Sequence, residues 1–217
     1  MAKVTLDITM SLDGFIAGPN QTVEQPLGEG GGRIHEWLYG LASFQERHGE
    51  PGSDGERNAD DEVLRESMDA AGAVLMGRRM FSGGDGAWED DPMADGWWGD
   101  DPPFGVPVFI LTHHAREPVT KQGGTTFTFV TEGLDAAMTQ ARAAAGDRNV
   151  SVAGGADVVQ QCLRAGILDE LQIHVAPLLL GDGVRLFDNL GAEAPSLEVA
   201  RVIESPAVTH IRYRVVK

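Results

Sequence analysis

Residues 150–165 read VSVAGGADVVQQCLRA, a short apolar strand that passes through paired glycines into an apolar-periodic helix. Val150, Val152 and Ala153 form the strand and Val158 to Ala165 the helix. A strand entering a helix through Gly154-Gly155 leaves backbone N–H groups open at the helix's positive end, where an anion binds well. The same pair also serves as a tight strand-to-helix turn, and local reasoning leaves both readings open. The G-x-G-x-x-G spacing of a dinucleotide-binding Rossmann fold is absent. Gly28 to Gly32 is glycine-rich too, but no apolar strand precedes it, so it reads as a loop.

Working outward, the chain alternates strands and helices. Val4, Leu6, Ile8 and Met10 alternate with polar residues in a first strand that ends in Ser11-Leu12-Asp13-Gly14. Phe15-Ile16-Ala17 is a second short apolar piece before Gly18-Pro19-Asn20. The segment 21–58 reads as loop, one helix around Ile34 to Phe44, and loop, with Gly52 to Asp61 the stretch expected to be least ordered. Asp60-Asp61-Glu62 opens a helix, where the macrodipole favours carboxylates, and Gly72 is expected to end it. Ala73 to Met76 is a buried strand, followed by a long excursion to Gly105, then strands at 108–111 and 125–130 and an alanine-rich helix at 134–145. Leu171 to Val175 is the next strand, and two more lie around 197–202 and 208–216. Alternating βαβ units predict an α/β fold with a mainly parallel central sheet, helices on both faces and a C-terminal antiparallel hairpin, in one domain over residues 1–217.

Composition narrows the partners. The 217 residues carry 17 Lys and Arg against 33 Asp and Glu, a formal charge of −16. That field repels phosphate backbones and anionic headgroups, so neither nucleic acid nor a membrane surface is an expected partner. An anionic ligand must be held by local donors. The one cysteine, Cys162, allows no internal disulfide and no zinc-ligand spacing, which fits a cytoplasmic setting. The N-terminus has no continuous apolar run of the signal-peptide kind, and no stretch is long enough to cross a bilayer.

Chemistry-bearing residues cluster after predicted strands. Gly77-Arg78-Arg79 follows a buried strand, and ligands of open α/β sheets sit at the carboxyl ends of such strands. Two guanidiniums there suit a ribose 2′-phosphate, or are two solvated arginines on an acidic surface. Thr112-His113-His114 also follows a strand, as a ligand-facing pair or an ordinary turn. Asp61 at the helix start could protonate or hydrogen-bond a heterocycle, or simply serve the helix dipole; Asp13 is either a second acid or a turn-maker. Trp37 could stack on a flat ring, and with His35 it forms the candidate substrate pair. No metal site is expected, and neither a G-x-S-x-G elbow nor a P-loop is present.

In order, Ser11-Leu12-Asp13-Gly14-Phe15-Ile16-Ala17, Val74-Leu75-Met76-Gly77-Arg78, Val152-Ala153-Gly154-Gly155-Ala156, Asp169-Glu170-Leu171 and Pro177-Leu178-Leu179-Leu180-Gly181-Asp182-Gly183 form a set. That set resembles the dihydrofolate-reductase-like superfamily, in the branch similar to the reductase domain of bacterial bifunctional riboflavin-pathway deaminase-reductases. The resemblance implies a three-layer fold and an NADPH-dependent reductase acting on a small molecule, often as a homodimer. It implies that Ala153, Gly154, Gly155, Ala156 and Asp157 lie at the cofactor's pyrophosphate and that Gly77, Arg78 and Arg79 lie near its 2′-phosphate. Thr112 and His113 are then near the adenosine end, with Ala17 also in the cofactor set. Asp61 matches the acidic residue that starts the corresponding helix of dihydrofolate reductases. The riboflavin-pathway enzymes usually place a glutamate before the paired glycines, whereas Ala153 stands here, and the 21–58 loop does not match their substrate-binding stretch. No zinc-dependent deaminase motif is present either. A different heterocycle, carbonyl or imine is therefore the expected acceptor, the alternative being a non-catalytic NADP(H)-binding sensor or partner-binding module.

Overall fold

The computed structural model describes residues 2–49, 52, 54–191 and 194–217. The strands are β1 (Val4–Ser11), β2 (Phe15–Ala17), β3 (Ala71–Gly77), β4 (Pro107–Leu111), β5 (Val119–Thr120), β6 (Thr126–Val130), β7 (Asn149–Gly154), β8 (Glu170–Ala176), β9 (Val184–Arg185), β10 (Ser196–Glu204) and β11 (Thr209–Val216). The helices are α1 (Glu36–Tyr39), α2 (Ala42–Arg47), α3 (Ala59–Ala70), α4 (Arg78–Ser82), α5 (Leu134–Ala145) and α6 (Ala156–Arg164). Nine strands form one sheet in the order β10-β11-β8-β1-β7-β3-β4-β6-β5, and β2 pairs with β9 beside it. Pairings from β8 through β1, β7, β3 and β4 to β6 are parallel, while β11 runs antiparallel to β8 and β10 to β11. This is the α/β layout expected from the alternation of elements.

The two faces of the sheet differ chemically. Val4, Leu6, Leu75, Val152 and Ile173 pack against Ala137, Met138 and Ala141 of α5 and Val159, Cys162 and Leu163 of α6. On the opposite face, Val74, Met76, Val108, Ile110, Phe127 and Phe129 enclose Phe81 of α4. Strand β3 is buried on both faces, which is why it reads as a continuous apolar run rather than an alternation. The polar side of β1 is largely covered. Thr9 and Ser11 are buried, and the Ser67 hydroxyl of α3 donates to Asp7.

Two local expectations are corrected. Gly72 does not end α3, which stops at Ala70; it lies inside β3, where a side chain would come within 2.6 Å of the Ala145 carbonyl at the end of α5. It is a packing glycine. The single helix expected around 34–44 is a 3-10 turn at Gly31–His35 followed by α1 and α2. Within the stretch 52–61, position 53 lies outside the described residues. Nearby, Glu56 bridges to Leu41, and the Asn58 side chain accepts from the N–H groups of Asp60 and Asp61 to cap α3. Among the described residues no helix is long and apolar enough to cross a membrane.

Candidate active site

The carboxyl ends of the parallel strands meet along one edge. Register places Met76 beside Gly154 and Gly77 beside Leu111, so the glycine turn after β7, the Gly77-Arg78 step after β3 and Thr112 after β4 lie on neighbouring strands. Beyond β1 the same face continues with Thr9 beside His174 and His174 beside His210.

Glycine is required where these ends crowd together. Gly154 has φ of 125°, a conformation that side-chain-bearing residues rarely adopt, and the Gly154-Gly155 peptide is cis. Gly155 caps α6 with no side chain bonding the first turn, so the N–H groups that open that nine-residue helix have no side-chain cap. A side chain at Gly77 would press on Val158 Cγ2 at 3.0 Å and stand 3.9 Å from the Gly154 oxygen and Gly155 nitrogen. The three glycines thus form a backbone cradle at a helix N-terminus, a shape and donor set that fit a pyrophosphate. Ala153 packs against the Phe81 cluster, Ala156 is buried, and Asp157 is exposed with its carboxylate accepting from Gln161.

The adjacent arginines part company. Arg78 is buried, with Nη2 2.5 Å from Asp91 Oδ2 and its guanidinium 3.5 Å over the Trp88 ring. It fastens the long 83–105 excursion rather than facing a ligand, which corrects its expected phosphate role. Asp91 also accepts from the Ser82 hydroxyl and the Met93 N–H, and these bonds with Arg78 outweigh burial to hold its pKa below the ordinary value. Arg79 is exposed and pairs with exposed Asp85, the kind of surface pair an anionic ligand can displace. Trp88 is shared with a second guanidinium, that of Arg116 at 5.0 Å. Thr112 is buried, with its hydroxyl accepting from the His114 N–H, while His113 is exposed. Ala17 is buried in β2, at the close crossing with Gly183.

Both expected acids are committed to anchoring. The Asp13 carboxylate accepts from the Ser11 hydroxyl and from the Leu180 and Gly181 N–H groups, which bring its pKa down to about 2 and tie the β1 turn to the 177–183 loop. Asp61 accepts from the Ser43 N–H at 2.6 Å and pairs with Arg65 at 3.4 Å. Those contacts outweigh burial and keep its pKa low, so neither carboxyl is a ready proton donor. Asp60, not Asp61, reaches the sheet, where it meets His210.

Trp37 lies on this face, and His35 is near enough to His174 to feel its charge. The Trp37 indole donates to Thr9 Oγ1 at 3.2 Å and its ring lies 4.8 Å from His174. His35 Nδ1 is sealed from solvent without a partner, and burial, with repulsion from His174, brings its pKa down to about 4. Sequence reading missed His174, His210, Asp7 and Asp91. The first two sit on strands whose alternation signals only a pleated face. Among the described residues no cluster of His, Cys, Asp and Glu could hold a metal ion.

Strand order, parallel register and the glycine cradle define the class, a dihydrofolate-reductase-like α/β domain. The RibD C-terminal domain family matches residues 2–211, and the chain belongs to that family. Among solved structures, one similar protein is a Shewanella sp. PV-4 protein assigned to riboflavin biosynthesis. It is 22% identical with a TM-score of 0.64, covering 99% of both chains. Another is the Thermotoga maritima diaminohydroxyphosphoribosylaminopyrimidine deaminase/5-amino-6-(5-phosphoribosylamino)uracil reductase, 14% identical with a TM-score of 0.57; the match covers 99% of this chain but 57% of that one. The Saccharomyces riboflavin biosynthesis reductase Rib7 is 14% identical, with a TM-score of 0.54 and coverage of 100% and 89%. No curated protein matches the sequence significantly.

Proposed function

We propose that this chain is an NADPH-dependent reductase that transfers hydride to a small planar heterocycle, carbonyl or imine. The observation that carries the reading is the cradle of Gly77, Gly154 and Gly155 at the N-terminus of α6. It lies at the carboxyl edge of a parallel sheet, where such folds bind nucleotides. Membership of the RibD C-terminal domain family and the reductase names of the similar structures support it. The cofactor, when bound, supplies the hydride.

The protein's own part is positional. The N–H groups opening α6 hold the pyrophosphate, and Arg79, with Asp85 displaced, reaches the 2′-phosphate while Arg78 keeps the neighbouring excursion in place. Thr112 and His113 border the adenosine end. Trp37 offers a flat wall next to Thr9 for the acceptor, with His35 beside it, and water at the open edge supplies the proton that Asp13 and Asp61 do not. Ala153 puts an apolar methyl before the cradle, so the acceptor differs from the riboflavin precursor. One observation favours a second reading, that of a non-catalytic NADP(H)-binding protein: both expected acids are bound up in loop anchoring.

The buried Cys162, its thiol pushed up to about 12 by burial, is poorly disposed to react, and a cytoplasmic setting is part of the same proposal. For assembly we infer a homodimer through the edge strand β10, whose Leu197, Val199 and Val202 are exposed. The reductase reading is tested by following NADPH oxidation with pterins, pyrimidines, quinones and aldehydes. Turnover of any class supports it; NADPH binding without oxidation across all of them favours the sensor.

A further inference from the structure

Beneath Trp37, four side chains from four elements form an unbroken chain, three of them buried and Asp7 partly exposed. Asp7 Oδ1 of β1 lies 2.9 Å from His174 Nε2 of β8, and His174 Nδ1 lies 2.6 Å from His210 Nδ1 of β11. His210 Nε2 lies 2.6 Å from Asp60 Oδ1 in the first turn of α3. Asp60, His174 and His210 are each no more than 2% exposed. Asp7 also accepts from Ser67 and borders a polar cavity of about 290 Å³ between α3 and the sheet.

The number of protons follows from the contacts. Three contacts at these distances are three hydrogen bonds, and each needs one hydrogen. Two neutral imidazoles bring one apiece, and ionised carboxylates bring none. With only two, either the His174 and His210 lone pairs face each other at 2.6 Å or a buried imidazole lone pair is turned toward a carboxylate oxygen. Both outcomes cost a buried polar group its partner. A third proton removes the conflict wherever it formally resides, and leaves the four groups with a net charge of −1.

We propose that Asp7, His174, His210 and Asp60 hold in common one proton beyond those of two neutral imidazoles, and that this proton fastens Trp37 and the start of α3 to the sheet. The charged neighbours do not supply a substitute. Arg212 is taken by Glu66 and Gln172, Asp61 by Ser43 and Arg65, and His35 stays neutral through burial. Trp37 lies over both imidazoles, 4.8 Å from His174 and 5.5 Å from His210, and its indole is pinned to Thr9 in the same row. Release of the proton as pH rises therefore loosens the wall that Trp37 presents and the α3 contact made by Asp60. His174 and His210 are in this sense positioning residues. That the wall receives an acceptor rests on the reductase reading; the proton count does not.

The test is a pH titration of the full ¹⁵N-labelled chain, reading the imidazole nitrogens of His174 and His210 and the indole of Trp37. The wild type is expected to release one proton from the histidine pair in a single coupled step, with the Trp37 indole shifting in the same step. Asp60→Asn and Asp7→Asn each place an amide hydrogen where the third proton sits, so each is expected to show two neutral imidazoles, no step and an unmoved indole. Should one variant not fold, the other and the wild type still decide. Two neutral imidazoles throughout in the wild type, or a variant that titrates as the wild type does, would overturn the proposal. An NADPH titration on the same samples separates the two readings: the step without NADPH binding defeats the reductase alone, and binding without the step defeats the shared proton alone.

Discussion

Replacing Arg78 by methionine keeps much of the stem's packing on Trp88 and removes the charge that faces Asp91. The Asp91 side chain is 3% exposed, so the variant leaves a carboxylate buried with only the Ser82 hydroxyl and the Met93 N–H as partners. Stranding one member of a buried pair costs about 3–5 kcal/mol. At roughly 2–4 °C per kcal/mol for a chain of this size, the melting temperature should fall by about 10 °C. Asp91→Asn should also destabilise, because it strands Arg78. The double variant Arg78→Met/Asp91→Asn should lose clearly less than the sum, with a coupling of about 2 kcal/mol or more. By contrast Arg79→Ala breaks an exposed pair and should shift stability by less than about 1 kcal/mol. Thermal unfolding by circular dichroism of the four variants is the assay. If Arg78→Met melted with the wild type and lost only affinity for a phosphate-bearing ligand, the division of labour between the two arginines would be refuted.

Gly77→Ala puts a methyl 3.0 Å from Val158 Cγ2, a contact that Val158 relieves by moving a few tenths of an ångström, so stability should change by about 1 kcal/mol or less. NADPH affinity should drop about tenfold or more in a fluorescence titration, because the methyl intrudes on the cradle; unchanged affinity would count against the cradle. His35 has its pKa depressed from 6.5 to about 4, so the unfolded chain takes up this proton first on acidification. Its contribution, at most on the order of 3 kcal/mol, is full above the ordinary imidazole value and is lost as pH falls toward 4. Urea unfolding of the wild type and His35→Gln across that window should show a shallower acid dependence in the variant, and parallel curves would contradict the assignment. Val199→Lys on the exposed edge strand should give a monomer in sedimentation velocity where the wild type is a dimer; an unaltered dimer would move the interface elsewhere.

The sheet was legible because its carriers are periodic. Val4 to Met10, Ala73 to Met76 and Val150 to Ala153 announce their strands by apolar spacing alone, and Gly154-Gly155 announces the turn where the edge opens. The 83–105 excursion was not legible, since what orders it is a long-range pair between Arg78 and Asp91 and the stacking of Trp88, neither of which has a local signature. Adjacent arginines look alike in sequence, and only the start of α4 decides that one side chain turns inward and its neighbour outward. The acids failed for a related reason. Asp60 and Asp61 are equivalent as helix-opening carboxylates, yet the helix directs one to His210 and the other to Ser43. His174 and His210 are separated by 36 residues and become neighbours only through the antiparallel pairing of β8 with β11.

The central claim, that the carboxyl edge around Gly77, Gly154 and Gly155 binds a phosphate-bearing nicotinamide cofactor, is tested most directly by equilibrium titration of NADPH and NADH into the wild type and Arg79→Ala. The account predicts that the wild type binds NADPH more tightly than NADH, and that Arg79→Ala binds the two alike through the glycine cradle it still has. Failure of the wild type to bind either nucleotide would contradict it.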